Sequence, residues 1–404
     1  MMKTTSSTTI RRCIITTFAI ALSTASLASD FVSLQQALPT QVDALSIAPV
    51  FDFDSDSCLP AAGISQTGDR NGGQKPTGSL TGACRSPNFL EQSNTLHRYA
   101  CKHANGINYC GHFYALYFEK DQLLAGIESG HRHDWEYVAV WTEDGTVTHG
   151  SYSAHGDLTT QPAAELSFEE GHLQIVYHKE GVGSHALRFA KTAEQAENPY
   201  GRFVTPTIIS WYEFAGEGWN NLVMRTLLDG YDYGSANLPT RESSFLGNLN
   251  EFKPATYPDF SAADVLTSNT GVNESFTQYV NRSSGLCMDI TDIKMQNGTN
   301  VMQWDCNGGK WQRWYLEASS GLIHSQQDPR FCLDNSSVYG NGANIMIWQC
   351  HGGDSQRFVT NNDGSIGIEV DSNQVIDGAG PSPSDNIATW WNWGGANQYW
   401  NLIP

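Results

Sequence analysis

The chain has 404 residues, of which 40% are hydrophobic and 16% charged, and its formal net charge is −19. This length is sufficient for two or three domains. Bulk electrostatics will not hold so acidic a chain on nucleic acid or anionic lipid, which excludes proteins that bind through a basic surface. Any contact with a membrane must therefore use a specific head group or a bridging cation.

The first 28 residues are typical of a secretory signal peptide. Lys3, Arg11 and Arg12 form a charged head, "CIITTFAIAL" is the apolar centre, and "SLA" supplies small residues before a cut after Ala28. The apolar run is shorter than the roughly 20 residues that span a bilayer, and no later segment approaches that length. We expect a soluble protein that is secreted to the extracellular space.

Eight cysteines follow Cys13 in two groups of four. An even number in an exported chain indicates disulfides, and the long gap between the groups predicts two separately cross-linked domains. The segment 253–274 carries prolines and small polar residues without strong periodicity, so we predict a linker there. The first domain is then 29–252 and the second 275–404.

The first domain shows no long helical pattern. Runs such as "YVAVW", "LQIVYH" and "PTIISWYEF" are typical of strands. We expect an α+β domain with a dominant sheet, and a sandwich is one such arrangement.

Ionisable side chains concentrate in the stretch "GHRHDWEYVAVW". Side chains alternate along a strand, so Asp134 and Glu136 share one face, while His131 precedes them on a turn. The preceding loop is expected to return Asp121 to the same place. Three carboxylates in one concavity repel one another, and a divalent cation relieves that repulsion. Oxygen ligands favour Ca²⁺, Mg²⁺ or Mn²⁺ and histidines favour Zn²⁺, and the spacing does not decide between them.

Two other interpretations of this stretch stay open. Asp134 and Glu136 lie about 7 Å apart along the backbone of a strand, a separation that does not distinguish a metal site from the acid/base pair of a glycoside hydrolase. The third interpretation is a salt-bridged turn in which His133 is merely solvated. The zinc-protease signature His-Glu-x-x-His and the nucleophile elbow Gly-x-Ser-x-Gly do not occur in the sequence.

The heptad "GHRHDWE" resembles the hallmark of the necrosis- and ethylene-inducing peptide-like proteins, a family of secreted cytolysins that attack plant cells. The stretches "CGHFYALYFEKDQ", "SAHGD", "YHKEGVGSHALRFA" and "DYGSANLP" resemble further blocks of that family in the same order, so the resemblance covers roughly residues 42–252. It implies an actinoporin-like β-sandwich that binds the sugar head group of plant sphingolipids with the help of a bound cation.

Carried over by position, the resemblance implies a site for Ca²⁺, or for Mg²⁺ or another hard divalent cation, formed by Asp121, His131, Asp134 and Glu136. His133 is expected to build the pocket, and His155 matches a further family residue near it.

Two more expectations follow from the same resemblance. The loop before His131 fits the class with an extra disulfide, which implies the pairs Cys58–Cys84 and Cys101–Cys110. Trp211 and Tyr212, in "ISWYEF", are candidates for exposed aromatics that enter the membrane interface, and the alternative is that at least one of them is buried in the core.

Beyond the linker the chain repeats itself three times. The elements "GLCMDI", "RFCLDN" and "NQVIDG" recur at intervals of 45 and 44 residues. Each is followed by a Trp-bearing strand, "NVMQWDC", "NIMIWQC" or "NIATWW", and each repeat closes with Gln-x-aromatic. Such a period predicts β units that pack against one another. The threefold signature resembles the ricin-type β-trefoil lectins over about 130 residues.

This second resemblance implies the disulfides Cys287–Cys306 and Cys332–Cys350, with no equivalent in the third repeat. The aromatic residue of each Gln-x-aromatic triplet is expected in the core. In each repeat an Asp is expected to accept sugar hydroxyls and a Trp to stack on the sugar. The family's best galactose sites also carry Asn-Gln before the closing aromatic, as only the third repeat does. The predicted carbohydrate-binding residues are Asp289, Trp304, Gln312, Asp334, Trp348, Gln356, Asp377, Trp390, Asn397 and Gln398.

Together these observations predict a mainly β protein, an actinoporin-like sandwich followed by a β-trefoil. The predicted function is that of a secreted cytolytic or necrosis-inducing toxin rather than an enzyme. Its expected partners are glycosylated sphingolipids of the plant plasma membrane and, through the lectin domain, carbohydrate; nucleic acid and a transmembrane segment are not expected. Two alternatives are a secreted polysaccharide-active enzyme with a lectin module and a glycan-binding elicitor that does not lyse cells.

Overall fold

The computed structural model describes residues 31–181, 183–268, 275–336 and 340–404. The predicted signal peptide lies outside the described residues. The fold is mainly β, as predicted, and the two halves of the chain beyond residue 30 belong to one compact unit. No helix in the described ranges is long and apolar enough to cross a membrane.

The first domain consists of two sheets and three short helices. Its strands are β1 Val50–Phe53, β2 Asn94–Ala104, β3 Ile107–Gln122, β4 Gly130–Glu143, β5 Thr146–Ala154, β6 Asp157–Pro162, β7 Phe168–Glu169, β8 His172–Lys179, β9 His185–Phe189 and β10 Thr207–Ser210. Its helices are α1 Asn221–Gly230, α2 Phe245–Phe252 and α3 Ala262–Thr267. The larger sheet has the order β10-β2-β3-β4-β5-β6, and β1, β7, β8 and β9 form the smaller one.

The central strands β3 and β4 are buried on both faces. Odd-numbered residues of β3, such as Phe113, pack with Val223 of α1 and Leu249 of α2. Even-numbered residues, such as Tyr114, pack with Phe51 and other residues of the smaller sheet. Strands buried on both faces are continuously apolar rather than alternating, which explains runs such as "YALYF" and "YVAVW". The larger sheet therefore lies between a helical layer and the smaller sheet.

Part of the predicted linker packs on the first domain. Tyr257 and Phe260 are buried in the same cluster as Leu249, and α3 lies against β2. Burial of these two aromatic side chains stabilises the packing of residues 253–268 on the first domain. Residues 269–274 lie outside the described residues.

The second domain is built from short strands in three repeats: β11 Thr277–Asn281, β12 Cys287–Ile290, β13 Thr299–Trp304, β14 Arg313–Glu317, β15 Leu322–Ser325, β16 Phe331–Asp334, β17 Ala343–Asn344, β18 Met346–Gln349, β19 Phe358–Thr360, β20 Ile366–Ile368, β21 Asp371–Gly378, β22 Ile387–Trp391 and β23 Trp400–Ile403. The closing aromatic residues of the repeats, Trp314, Phe358 and Trp400, are buried in one core with aliphatic residues from all three repeats. Their predicted core position is confirmed.

Three equivalent asparagines join the repeats in a closed ring. The Nδ2 of Asn300 donates to Oδ1 of Asn386 at 3.0 Å, Asn386 donates to Asn344 at 2.9 Å, and Asn344 donates to Asn300 at 2.8 Å. Each amide therefore gives one hydrogen bond and receives one, and each repeat is tied to both others.

The four disulfides form the predicted pairs, Cys58–Cys84, Cys101–Cys110, Cys287–Cys306 and Cys332–Cys350. Each lies within one domain. The domains also meet directly, because Leu222 of α1 is buried together with Phe276 and Tyr315 of the trefoil.

Candidate functional sites

The hairpin of β3 and β4 forms one wall of a cavity of about 560 Å³. Its register pairs Asp121 with His131, near the turn, and Phe118 with Asp134. The turn requires glycine at 130, since this residue has φ +93° and a Cβ there would lie 2.2 Å from the carbonyl oxygen of Asp121.

An interruption in β4 brings the histidine to the carboxylates. Strict alternation would place His131 on the face of His133 and Trp135, opposite Asp134. His133, however, has a left-handed backbone with φ +63°, and its Nδ1 lies 2.6 Å from the hydroxyl of Tyr117 on the helical side of the sheet. His131 consequently lines the same cavity as Asp134 and Glu136.

All four side chains predicted to bind a cation line this cavity, Asp121, His131, Asp134 and Glu136. The three carboxylates are buried, whereas the His131 side chain is about one-third exposed, at 35%. Buried carboxylates that face one another are costly unless they are protonated, paired or bound to a cation.

His185 is a cavity residue that the sequence analysis did not single out. It lies on β9 of the smaller sheet, with its Nδ1 2.8 Å from Oδ1 of Asp121, and its backbone N–H donates to the same oxygen at 3.0 Å. Burial alone would raise the pKa of Asp121, but these hydrogen bonds outweigh it and the pKa lies below its ordinary value. His185 is 64 residues from Asp121 in sequence, and no local pattern joins the two.

The other two carboxylates are held differently. Tyr177 donates a hydrogen bond of 3.1 Å to Asp134, and Ser153 donates to Glu136. Burial, and next the charge of Asp121, raise the pKa of Asp134 to about 7. Burial, and next the charge of Asp134, raise the pKa of Glu136 well above its ordinary value. These raised pKa values favour protonated carboxyls, and a positive charge in the cavity would favour the ionised forms instead.

The two remaining predicted histidines have distinct positions. His133 is buried behind the cavity wall, and burial lowers its pKa to about 4, so it stays neutral. His155 is at the cavity rim with its Nε2 3.1 Å from Glu180 and its Nδ1 3.2 Å from the hydroxyl of Ser184. Polar residues of the α1–α2 connection and α2, including Asn237, Arg241 and Asn248, line other parts of the cavity.

The donor set suits a hard divalent cation. Three carboxylates and one imidazole line one cavity, with His131 Nε2 3.8 Å from Asp121 Oδ2, but the ligand atoms of the four residues do not all lie within 4.8 Å of one another. Such spacing is compatible with a cation that keeps part of its water shell. In the described ranges the group whose ligand atoms do lie within 4.8 Å of one another is His324, Cys332 and Cys350, but its two cysteines form a disulfide and offer no thiolate.

The trefoil presents three related surface sites. In each repeat the backbone of an Asp pairs with a residue two positions before a Trp, as Asp377 pairs with Ala388 before Trp390. Strand alternation therefore places each Asp and its Trp on the same face of a hairpin. The other two pairs are Asp289 with Trp304 and Asp334 with Trp348. All three carboxylates are largely buried and all three indoles are exposed.

The glutamines of the Gln-x-aromatic triplets are buried, and do not lie at the surface as predicted for carbohydrate-binding residues. Gln312, Gln356 and Gln398 are fully buried. The Oε1 of each accepts backbone N–H groups of its own loop, and Nε2 donates to a backbone carbonyl. These side chains build the loop and do not reach a sugar, because the amide groups are satisfied inside the domain.

The three aspartates have different partners. Asp289 accepts from Gln312 at 2.7 Å, and Asp334 accepts from Ser355 at 3.1 Å. Asp377 accepts from Nδ2 of Asn397 at 2.7 Å. Asn397 is thus next to the carboxylate, as its predicted role requires.

Comparison with known proteins agrees with this division. The model of the necrosis-inducing protein (NPP1) family matches residues 41–252, more than half of the chain, and that of the ricin-type β-trefoil lectin domain matches residues 275–400. The chain belongs to the necrosis-inducing protein family.

Curated relatives of this necrosis-inducing family member match its first domain. Necrosis-inducing protein NPP1 of Phytophthora nicotianae is 29% identical over 48% of this chain and 74% of its own length. NLP effector protein 10 of Phytophthora capsici is 27% identical, covering 54% of this chain and 87% of its own. Among solved structures, NLPPya in complex with mannosamine is 26% identical. The match covers 55% of this chain and 96% of the NLPPya chain, with a TM-score of 0.43.

The membrane contact predicted for Trp211 requires correction, and the alternative, burial of at least one of Trp211 and Tyr212 in the core, is confirmed. Trp211 is only 1% exposed and donates from its indole to Glu242 at 2.8 Å. The Tyr212 hydroxyl accepts from the buried Arg98 at 2.7 Å. Both rings pack around this guanidinium, and Trp211 is buried in the core while Tyr212 is half-buried beside it.

Proposed function

We propose that this protein is a secreted cytolytic toxin whose first domain binds the sugar head group of plant sphingolipids and damages the membrane, and whose trefoil binds carbohydrate. The observation that carries the proposal is that Asp121, His131, Asp134 and Glu136 line one open cavity. A hard divalent cation bound there would supply positive charge to which sugar hydroxyls can coordinate.

The chain's own residues have defined parts in this proposal. Asp121 is oriented by His185, and Asp134 by Tyr177, so that the carboxylates keep fixed directions without a ligand. The polar groups of Asn237 and Asn248 line the same cavity and are suited to hydrogen bonds with sugar hydroxyls.

The hairpin tip beside the cavity is suited to a membrane surface. Leu124 and Ile127 are 48% and 55% exposed, in the turn between Asp121 and His131. The turn is fixed on the domain, since Gly126 N–H donates to the carbonyl of Gly78 at 2.7 Å and Ser129 N–H donates to that of Pro76 at 3.0 Å. Two apolar side chains held beside a head-group site would enter the lipid interface when the site is filled.

Dye release from vesicles tests the proposal. Vesicles that contain glycosylated plant sphingolipid should leak in calcium and stay intact with chelator, whereas phosphatidylcholine vesicles should stay intact in both. Binding without leakage would identify a glycan-binding elicitor instead. Release of reducing sugar from plant wall polymers, abolished by Glu136→Gln, would identify an enzyme.

A further inference from the structure

The third trefoil repeat differs from the other two in its exposed aromatic surface. Trp390, Trp391 and Trp393 are 43%, 53% and 61% exposed. The first repeat has Trp304, Asp305 and Asn307 at the equivalent positions, and the second has Trp348, Gln349 and His351. At these three positions the third repeat therefore carries three exposed indoles and each counterpart carries one, although the first repeat has a further, half-buried indole, Trp311, beside its own Asp289.

Position 393 is structurally equivalent to 307 and 351. In each repeat the backbone N–H at this position donates to Oε1 of the buried glutamine, at 2.8 Å for Asn307, 2.7 Å for His351 and 3.0 Å for Trp393. The buried glutamines thus hold three similar loops, on which only the side chain changes. His351 shows the direction of that side chain, because its Nε2 lies 3.3 Å from Oδ2 of Asp334.

Trp393 makes the corresponding contact in its own repeat. Its side chain interacts with the carboxylate of Asp377, which accepts a hydrogen bond from Asn397. This contact places the ring at the edge of the Asp377 site. Most of the ring remains open to solvent.

A glycine provides the space for this ring. A Cβ at Gly395 would lie 2.1 Å from an atom of the Trp393 ring, so only a residue without a side chain allows the indole this place. Trp390 is on the same hairpin face as Asp377, whereas the next residue, Trp391, points to the other face. The Asp377 carboxylate therefore has an exposed indole on its strand side and another on its loop side.

We infer that the third repeat binds a neutral glycan of at least two sugar units, which stacks on Trp390 and on Trp393 while its hydroxyls bond to Asp377 and Asn397. Aromatic rings stack on the apolar faces of pyranoses, and two separate rings are suited to two consecutive units. Trp393 is thus a determinant of ligand length. This inference rests on the proposed carbohydrate binding by the trefoil and extends it.

Binding by the full chain tests this inference. An array of neutral mono-, di- and trisaccharides should retain the protein on chains of two units or more. Calorimetric titration with a retained disaccharide and with its terminal monosaccharide should then show that Trp393→Ala weakens disaccharide binding at least tenfold and monosaccharide binding less than threefold. Gly395→Ala should have the same effect because it displaces the ring.

Two variants are matched controls. Trp391→Ala removes an indole of similar exposure from the opposite face, and Gly353→Ala makes the equivalent change in the second repeat; both should leave disaccharide affinity unchanged. Equal losses for monosaccharide and disaccharide, an effect of Trp391→Ala as large as that of Trp393→Ala, or retention of monosaccharides alone would overturn the inference while leaving the lectin function intact. Failure of the wild type to bind any glycan would overturn both.

Discussion

Asn220, the residue that caps the N-terminus of α1, donates a 2.6 Å hydrogen bond from Nδ2 to Glu317 on β14 of the trefoil. Its Oδ1 accepts a hydrogen bond from the backbone N–H of Val223 at 3.0 Å. One side chain therefore caps the first turn of a helix in the first domain and also binds the second domain. Glu317 also has His324 and Ser320 as partners, and these contacts lower its pKa to about 2. Together with the buried group around Leu222, they make the domain contact specific.

The two domains should unfold together. Leu222 is 5% exposed and packs with Phe276 and Tyr315 across the contact. Leu222→Ala should remove about 2–5 kcal/mol of packing and split a single calorimetric transition into two. Leu266→Ala changes a leucine that is 70% exposed and should leave a single transition. Two separate transitions in the wild type would show that the contact is too weak to couple the domains.

Calcium should stabilise the wild type more than Asp134→Asn. The substitution keeps the shape of the side chain but removes one anionic oxygen ligand, so cation affinity should fall sharply. A cation at 100 times its Kd adds about 2.7 kcal/mol to the free energy of unfolding. Melting temperatures in calcium and in chelator measure this gain. Equal gains for both proteins would exclude Asp134 as a ligand.

Without a cation, stability should decrease as the pH rises. Asp134 has a pKa of about 7 in the folded protein, whereas the unfolded chain has the ordinary value of about 4. The folded state therefore binds more protons between these values, and this contribution to stability, complete below about pH 4, is lost as the pH rises to about 7. Urea unfolding in chelator across this range should show a steeper loss for the wild type than for Asp134→Asn. Identical slopes would contradict the raised pKa.

The hairpin tip should affect lysis more than sugar binding. Leu124→Ser with Ile127→Ser removes the two apolar side chains beside the cavity but leaves the proposed cation ligands Asp121 and His131 in place. Leakage from sphingolipid vesicles should fall at least tenfold, while calorimetric binding of the soluble head-group sugar should be unchanged. Leu266→Ser, an exposed leucine on α3, is the control and should lyse normally. Full leakage by the double variant would place the membrane contact elsewhere.

Local patterns in the sequence were sufficient for much of the fold. The threefold Gln-x-aromatic triplets predicted the buried residues Trp314, Phe358 and Trp400, because a repeat period and an apolar signature together specify a packed unit. The alternation in "HDWEYVAVW" predicted that Asp134 and Glu136 share a face. The disulfide pairs followed from the family resemblances, and all four are present.

Long-range partners were beyond such patterns. His185 reaches Asp121 only because β9 and the smaller sheet fold against β3, and a sequence separation of 64 residues carries no local signal for that. The local sequence around Trp211 is the same for a side chain that faces lipid and for one that faces the core. Its burial depends on packing against Arg98 on β2, which is distant in sequence. Neither did alternation anticipate the left-handed His133, which reverses the direction of His131.

The ring of Asn300, Asn344 and Asn386 separates what the trefoil must keep from what it can vary. No repeat can satisfy its own amide, and a fragment of two repeats would leave a donor and an acceptor unpaired at the axis. The rim is under no such constraint, as Asn307, His351 and Trp393 occupy equivalent places on the same backbone. One axis can thus support three unlike recognition surfaces, and a change of specificity in one repeat need not disturb the other two.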